Sequence, residues 1–380
     1  MTDTKKLENF FIIVPVGFEP DLINEINYVK PRLLGSDLYP NTQSIEVVLK
    51  TRGGVEISTS REVGFQLNHL LKTPVRILWR WKSKKISHVS EFKSWIRGLK
   101  PQDFTDKPFG VSLSAKKSRL QNEKMLMRVL MEDWKLVDPN LEESLYLHVF
   151  DDQMTLSWDL SGDALYKRGW SDIKGPAPLR ENLAHLLLYD LSQSLTGPEL
   201  REATLIDPMM GSGTFLSESL SWNLPVIDRP FRYQNFKGLP GFLKIPWWKN
   251  LHAPQDSLFG HHLGFDKEEA VVKMAQQNLS KFESSNNIIL EKRDVFSTKK
   301  QDGFMGRKFM ISNPPYGERL KVDDLQLLLQ ASLNHYLPER ALFIVPREAR
   351  LNFPQYSLKF SREFSNGGLD VKSLVFYREA

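Results

Sequence analysis

The sequence is expected to fold as an α/β protein, with a small α/β region at the N-terminus and a parallel sheet covered on both faces at the C-terminus. Three observations carry this expectation. Beyond residue 200, apolar runs of strand length alternate with amphipathic stretches of helix length, the mark of repeated strand–helix–strand units. Before residue 165, shorter alternating stretches are broken by turn residues such as Gly53–Gly54. Between them lies a linker, Ser161 to Asp163 and then Lys167 to Pro178, punctuated by Gly169, Gly175, Pro176 and Pro178.

Taken in order, Phe10–Val16 reads as a strand and Glu19–Tyr28 as an amphipathic helix. Ile45–Leu49 and Val55–Ile57 follow as strands, completing a unit over residues 10–65. In residues 66–165, Phe65–Lys72 reads as helix. Arg76–Lys82 alternates as a strand, with Val75, Ile77, Trp79 and Trp81 on one face. Val89–Leu99 is helical, gathering Phe92, Trp95, Ile96 and Leu99 on one side. Val111–Ala115, Leu145–Phe150 and Met154–Asp159 read as strands and Asn122–Lys135 as a helix. Past the linker, strands are expected at 203–207, 259–265, 288–292, 309–312, 341–345 and 372–377. Helices are expected at 213–222, 268–281 and 323–335. Residues 223–256 interrupt this rhythm with Pro- and Trp-rich irregular sequence, and a loop of that length is usually functional or a lid.

Composition narrows the chemistry. A length of 380 residues allows two or three domains, and 41% hydrophobic with 26% charged residues is ordinary for a globular chain. No apolar run approaches the roughly 18 residues of a membrane span. The N-terminal apolar stretch is short and leads to no small-residue cleavage site, so it reads as a strand of the mature protein, and a cytoplasmic location is expected. With no cysteine there can be no disulfide, thiolate zinc site, iron–sulfur cluster or thiol nucleophile. The eight histidines show no ligand spacing, and the adjacent His261 and His262 would point to opposite faces of a strand, so no metal is expected.

Charge is uneven. Lys72 to Arg128 holds 15 Lys/Arg against 4 Asp/Glu, a local +11, whereas the whole chain is only +5. Such a block suits a polyanion, because Lys and Arg gain by displacing counterions from phosphates. A solvated face poor in acids would give the same count. Within it, Lys116, Lys117 and Arg119 fall between an expected strand and helix, a position that suits a phosphate.

Four motifs carry chemistry. In Leu205–Phe215 (LIDPMMGSGTF) an apolar strand ends in Asp207, and Gly211 and Gly213 open a helix, as where a ligand approaches backbone. No Lys–Ser/Thr follows, so it is not a Walker loop, and a GxG alone is also an ordinary helix-opening turn. Asp266 ends the next strand, where a carboxylate can accept from two ribose hydroxyls. Asp294 ends the one after, placed to accept from an adenine amino group, with Phe296 to pack on the ring. Each acid alone would be an ordinary surface cap; three at the carboxyl ends of successive parallel strands mark the edge where open α/β sheets bind ligands. The fourth motif is Ser312–Arg319 (SNPPYGER). Its prolines hold the turn extended and remove two amide donors. Acceptors remain, the Asn313 side chain and the Pro314 carbonyl, with Tyr316 as a ring for stacking. Two aimed acceptors can hold an aromatic NH₂ group so that its lone pair faces a methyl donor. A base inside a duplex would first be flipped out.

These motifs resemble those of S-adenosylmethionine-dependent amino-methyltransferases. Over residues 10–380 the chain is similar to THUMP-containing guanine-N2 RNA methyltransferases, most of all to the N-terminal methyltransferase half of the bacterial 23S rRNA enzyme. Gly53–Ile57, Lys116–Arg119, Leu156–Trp170 (LSWDLSGDALYKRGW), Ala177–Ala184, Ser365–Val371 and the 223–256 insertion fit in order. The resemblance implies a ferredoxin-like segment over 1–65, a THUMP RNA-binding domain over 66–165 and a seven-stranded Rossmann-like class I methyltransferase domain over 166–380. It implies S-adenosylmethionine held by Asp207, Pro208, Gly211 and Gly213, with Asp266 on ribose and Asp294 and Phe296 at the adenine. Asn313, Pro314, Pro315 and Tyr316 would hold the guanine, and Lys116, Lys117 and Arg119 the RNA. Arg180, Glu181 and Asn182 fall in a family motif near the cofactor.

Met210 departs from the usual cysteine of that family, a change a backbone-lined turn should tolerate. The commonest bacterial relative carries a second methyltransferase domain. This sequence reaches Ala380 directly after the expected last strand, so one methylation is expected. The expected substrate is 23S rRNA, free or in an assembly particle. The same chemistry on tRNA is the alternative, and DNA adenine-N6 methylation is a further one. A catalytically dead RNA chaperone is disfavoured by the intact NPPY and acids.

Overall fold

The computed structural model describes residues 7–34, 44–170, 173, 179–227, 229–239, 257–282, 287–296, 306–315 and 322–379. They divide into two units. The first takes the described residues up to Leu165 together with 229–239; the second takes those of 166–227 and 257–379.

The first unit is one seven-stranded sheet. Its elements are β1 (Leu7–Ile13), α1 (Glu19–Leu34), β2 (Glu46–Thr51), β3 (Gly54–Ser60), α2 (Arg61–Leu70), β4 (Arg76–Lys85), α3 (Val89–Arg97), β5 (Gly110–Lys116), α4 (Glu123–Asp133), β6 (Glu143–Phe150) and β7 (Gln153–Asp159). The strand order is β2-β3-β1-β4-β7-β6-β5. Residues on both sides of position 65 share this sheet, because β1 pairs with both β3 and β4. Alternation builds it: in β1, Phe10 and Ile12 are fully buried, while Phe11 and Ile13 are only partly so. The core side is aromatic. Phe65 of α2 meets the Trp79 ring at 5.7 Å, and Trp158 meets Phe104 at 5.4 Å. Helix α1 runs past the expected end at Tyr28 and carries Pro31 inside it. Burial of Val29 and Leu33 offsets the proline's lost hydrogen bond.

Residues 229–239 belong to this unit although they lie far along the chain. Tyr233 is buried, with its ring 5.2 Å from Phe65 and its hydroxyl 2.6 Å from His69 Nε2. Arg229 donates to the carbonyls of Ala164, Ser161 and Asp163 at 2.7, 3.0 and 2.7 Å. Arg232 pairs with Glu142 at 2.7 Å and with the buried Asp159 at 3.3 Å; Arg76 also pairs with Asp159. Burial pushes the Asp159 carboxyl up against the pull of these two cations. Residues 240–256 of the expected insertion lie outside the described residues.

The second unit contains α5 (Glu181–Ser192), α6 (Gly197–Arg201), β8 (Thr204–Asp207), α7 (Thr214–Leu220), β9 (His261–Asp266), α8 (Glu269–Leu279), β10 (Ile288–Lys292), β11 (Lys308–Ser312), α9 (Val322–Tyr336), β12 (Arg340–Pro346), β13 (Tyr356–Asn366) and β14 (Leu369–Arg378). Its seven strands run β10-β9-β8-β11-β12-β14-β13. The first five are mutually parallel, and β14 runs antiparallel to both of its neighbours, β12 and β13. Leu325, Leu329 and Leu333 of α9 pack on Ile206, Leu263, Met310 and Phe343. The sequence pattern did not foretell α5, α6 or β13. Helix α5 buries eleven of its twelve residues and so shows no polar face. Strand β13 is an edge strand, largely exposed, with a bulge between Leu358 and Phe360.

Candidate functional site

Two neighbouring strands, β8 and β11, mark the point where the sheet's connections diverge: β8 leads outward to β9 and β10, and β11 the other way to β12. Open α/β sheets bind ligands at the carboxyl ends of the strands beside such a point. Asp207 closes β8, Asp266 closes β9, and Asn313 directly follows β11.

Asp207 is fully buried. Burial pushes its carboxyl up to about 8, and the nearby charge of Asp266 adds to this; the Met209 amide and the Ser312 hydroxyl pull the other way. The Met209 amide donates to Asp207 Oδ1 at 3.2 Å. Between Asp207 and α7 the chain makes the glycine turn. Gly211 sits at φ +54°, and a Cβ there would meet nothing within 4 Å, so its backbone borders open space. Gly213 is at φ +82°, where a Cβ would stand 3.2 Å from Leu279. Asp266 holds the turn in place: its Oδ2 accepts from the Gly211 amide at 3.3 Å and its Oδ1 from the Glu268 amide at 3.1 Å. A carboxylate has about four acceptor positions, so further ones remain for a ligand.

At the end of the adjacent strand β11, Asn313 Oδ1 is buried and accepts no hydrogen bond among the described residues. A buried acceptor left unmade costs on the order of 1–3 kcal/mol, so one at a sheet's ligand edge points to an absent donor. Pro314 is buried, Pro208 is buried, and Pro315 is exposed. Tyr316 lies outside the described residues. Asp294 and Phe296 stand at the same edge but are exposed. Asp294 Oδ1 accepts from the Phe296 amide at 2.9 Å, and the Phe296 side chain is open to a ligand with 65% of its surface exposed. The structure thus brings Asp207, Asp266, Gly211, Gly213 and Asn313 to one edge. Lys116, Lys117 and Arg119 lie exposed in the first unit.

Sequence reasoning missed the supports. Asn278 of α8 donates through Nδ2 to the Ser212 carbonyl at 3.1 Å and to the Ile173 carbonyl at 2.9 Å, while its Oδ1 accepts from the Ile173 amide at 3.3 Å. It therefore ties the glycine turn to the linker. Arg168 forms a two-pronged pair with Glu218 of α7, each prong 3.3 Å long and both side chains fully buried. A lone Asn on the inner face of α8 and a Glu in an otherwise uncharged α7 were the available signals. Glu181 and Asn182 are buried in the first turn of α5, and Arg180 lies 5.5 Å over the Tyr166 ring. Buried His262 Nε2 meets Ser219 Oγ at 2.8 Å, and burial drives its imidazole down to about 3, so it is a neutral core residue.

Residues 168–339 match the model of the RMKL-like methyltransferase domain. The chain is similar to the ribosomal RNA large subunit methyltransferase K/L of Acinetobacter baylyi, 31% identical over 222 residues, covering 54% of this chain and 29% of that protein. It is also similar to the protein of the same name from Methylococcus capsulatus, 26% identical over 336 residues, covering 82% and 42%. The chain thus spans less than half the length of these relatives. Among solved structures, a possible methylase from Clostridium difficile 630 shares the fold at a TM-score of 0.74 with 21% identity, over 99% of both chains. SMU.472 complexed with SAH does so at 0.71 with 20% identity, over 99% and 100%.

Proposed function

We propose, from the match of residues 168–339 to the RMKL-like methyltransferase domain, that the chain transfers a methyl group from S-adenosylmethionine to the exocyclic N2 of a guanine in large-subunit ribosomal RNA. The buried, unmatched Asn313 Oδ1 beside Pro314 carries this reading. An amine is the donor it lacks, and the prolines around it offer no competing N–H.

The residues fit the cofactor. Gly211 leaves room for a methionine end to approach backbone, and Asp266 has acceptor positions left for ribose hydroxyls. Asp207 would face the cationic amino end, and exposed Asp294 and Phe296 would meet the adenine. When bound, the cofactor supplies an electrophilic methyl on a sulfonium. The chain's own part is positioning: Asn313 Oδ1 and the Pro314 carbonyl accept from the two amine hydrogens and point the nitrogen lone pair outward. Large-subunit rRNA is supported by the K/L relatives, and the basic stretch from Lys72 to Arg128 is the electrostatic footprint of a nucleic-acid binder.

The test is transfer of labelled methyl from S-adenosylmethionine to rRNA, tRNA and DNA purified from cells lacking the protein, followed by nucleoside analysis. N2-methylguanosine in rRNA is expected. The same nucleoside only in tRNA would move the substrate, and N6-methyladenine in DNA would move the chemistry. Asn313→Ala is expected to lower turnover by roughly 10²-fold with cofactor affinity kept. Asp266→Ala should weaken cofactor binding by about 1–3 kcal/mol. Equal loss of turnover and cofactor affinity in the first variant, or an unchanged cofactor titration in the second, would remove these assignments.

A further inference from the structure

In the first unit, β6 sends Leu145, Leu147 and Val149 into the core. Its alternate residues, Tyr146, His148 and Phe150, face outward, with His148 and Phe150 exposed. The pairing register extends this face across four strands. Lys85, Gln153, Phe150 and Lys116 stand in one row; Ser83, Thr155, His148 and Ser114 in the next. At about 4.8 Å per strand, Lys85 and Lys116 flank the Phe150 row some 14 Å apart. Hydrogen bonds mark the same face: Ser83 Oγ lies 2.9 Å from Thr155 Oγ1, and Gln153 Nε2 donates to Ser83 Oγ at 2.7 Å.

The aromatics are arranged. The His148 and Phe150 rings lie 6.4 Å apart and within 5° of parallel. Lys117 Nζ stands 5.6 Å over Phe150, which remains 45% exposed. Partial burial, helped by Arg80 and Lys116, shifts His148 below the ordinary imidazole range, which favours the neutral ring. The basic loop is also fixed. Lys117 takes a left-handed φ of +50°, and the Arg119 amide donates to Asp152 Oδ1 at 2.7 Å. The Asp152 amide in turn donates to Ser118 Oγ at 3.0 Å. Asp151 and Asp152, both at positive φ, form the tight turn joining β6 to β7. With Glu123, which accepts from the Ala115 amide at 3.0 Å, they are the acids beside this loop, against Lys85, Lys116, Lys117 and Arg119; the exposed Arg119 guanidinium lies 3.6 Å from Asp152.

We propose that this face is a stacking platform for single-stranded RNA, with Phe150 and His148 taking bases and Lys85, Lys116, Lys117 and Arg119 taking phosphates. The inference rests on the RNA-substrate reading above. Exposed parallel rings rimmed by cations suit unstacked bases on a backbone. A duplex hides its base faces and would meet only the cations.

The test uses the full chain with a fluorescent decauridine and with an RNA duplex of equal length, titrated over a range of salt. The wild type should bind the single strand more tightly. His148→Ala/Phe150→Ala should lose roughly tenfold or more on the single strand, with the duplex affinity and the salt slope unchanged. Phe150→Trp should retain binding, which separates stacking from misfolding. Lys116→Ala/Lys117→Ala should instead flatten the salt slope by about 0.7 for each phosphate no longer neutralised. Unchanged single-strand affinity in the aromatic double variant, or equal loss on both RNAs, would overturn the platform. Methyl transfer to rRNA is measured alongside. Transfer without an aromatic effect on binding removes the platform alone; the aromatic effect without transfer to any RNA removes the substrate reading alone.

Discussion

Asp207 is pulled two ways, since burial favours its neutral form and a bound cation would favour its charged one. Its carboxyl, pushed up to about 8, keeps in the folded chain a proton that the unfolded chain releases near pH 4. Asp207 therefore costs stability increasingly as pH rises from about 4 to 8, and no more above that. A cofactor ammonium beside it should drive the proton off. Cofactor affinity is expected to rise from pH 6 to 8 and then level, with proton release seen as buffer-dependent binding heat. Asp207→Asn should flatten the profile and weaken binding. An affinity that falls over this range would show that Asp207 does not face the cation. The strand-end acids were legible in the sequence because an apolar run stopping at Asp is a one-dimensional signal. The empty acceptor of Asn313 was legible only as chemistry; that nothing else fills it depends on packing.

At the scale of elements, α7 is held in its middle as well as at its start. The Arg168–Glu218 pair joins the linker to α7 with no exposure on either side chain. Glu218→Gln should leave a buried guanidinium short of its countercharge and cost about 3–5 kcal/mol, read as a lowered urea midpoint. Arg168→Met/Glu218→Leu removes both charges and should cost far less. If the double variant lost as much as the single, packing rather than charge would account for the pair. The strands of the second sheet were legible because buried parallel strands are continuous apolar runs, as in Phe309–Ile311. Strand β13 was not, since an exposed edge shows no such run, and its junction with β14 through Gly367 and Gly368, both at positive φ, was read only as a motif.

At the scale of the whole molecule, the N-terminal unit is incomplete in sequence until residues 229–239 are added, although all seven of its strands come before them. Tyr233→Ala in the full chain should destabilise that unit by about 3–5 kcal/mol, as for other large buried rings. Quenching of the tryptophan cluster around Trp79 and Trp158 would follow the transition; an unshifted one would make the segment a passive cover. No local pattern could have foretold this, because the residues that receive Tyr233, Phe65 and His69, lie more than 160 positions earlier.

That discontinuity sets a clock on biosynthesis. After Leu165 emerges, the ribosome must add some 70 further residues before the segment exists, about 4–15 s at 5–20 residues per second. Throughout that interval the nascent N-terminal sheet lacks Phe231, Tyr233 and Phe236 and exposes the aromatic surface they later cover, the state in which a chaperone has most to offer it.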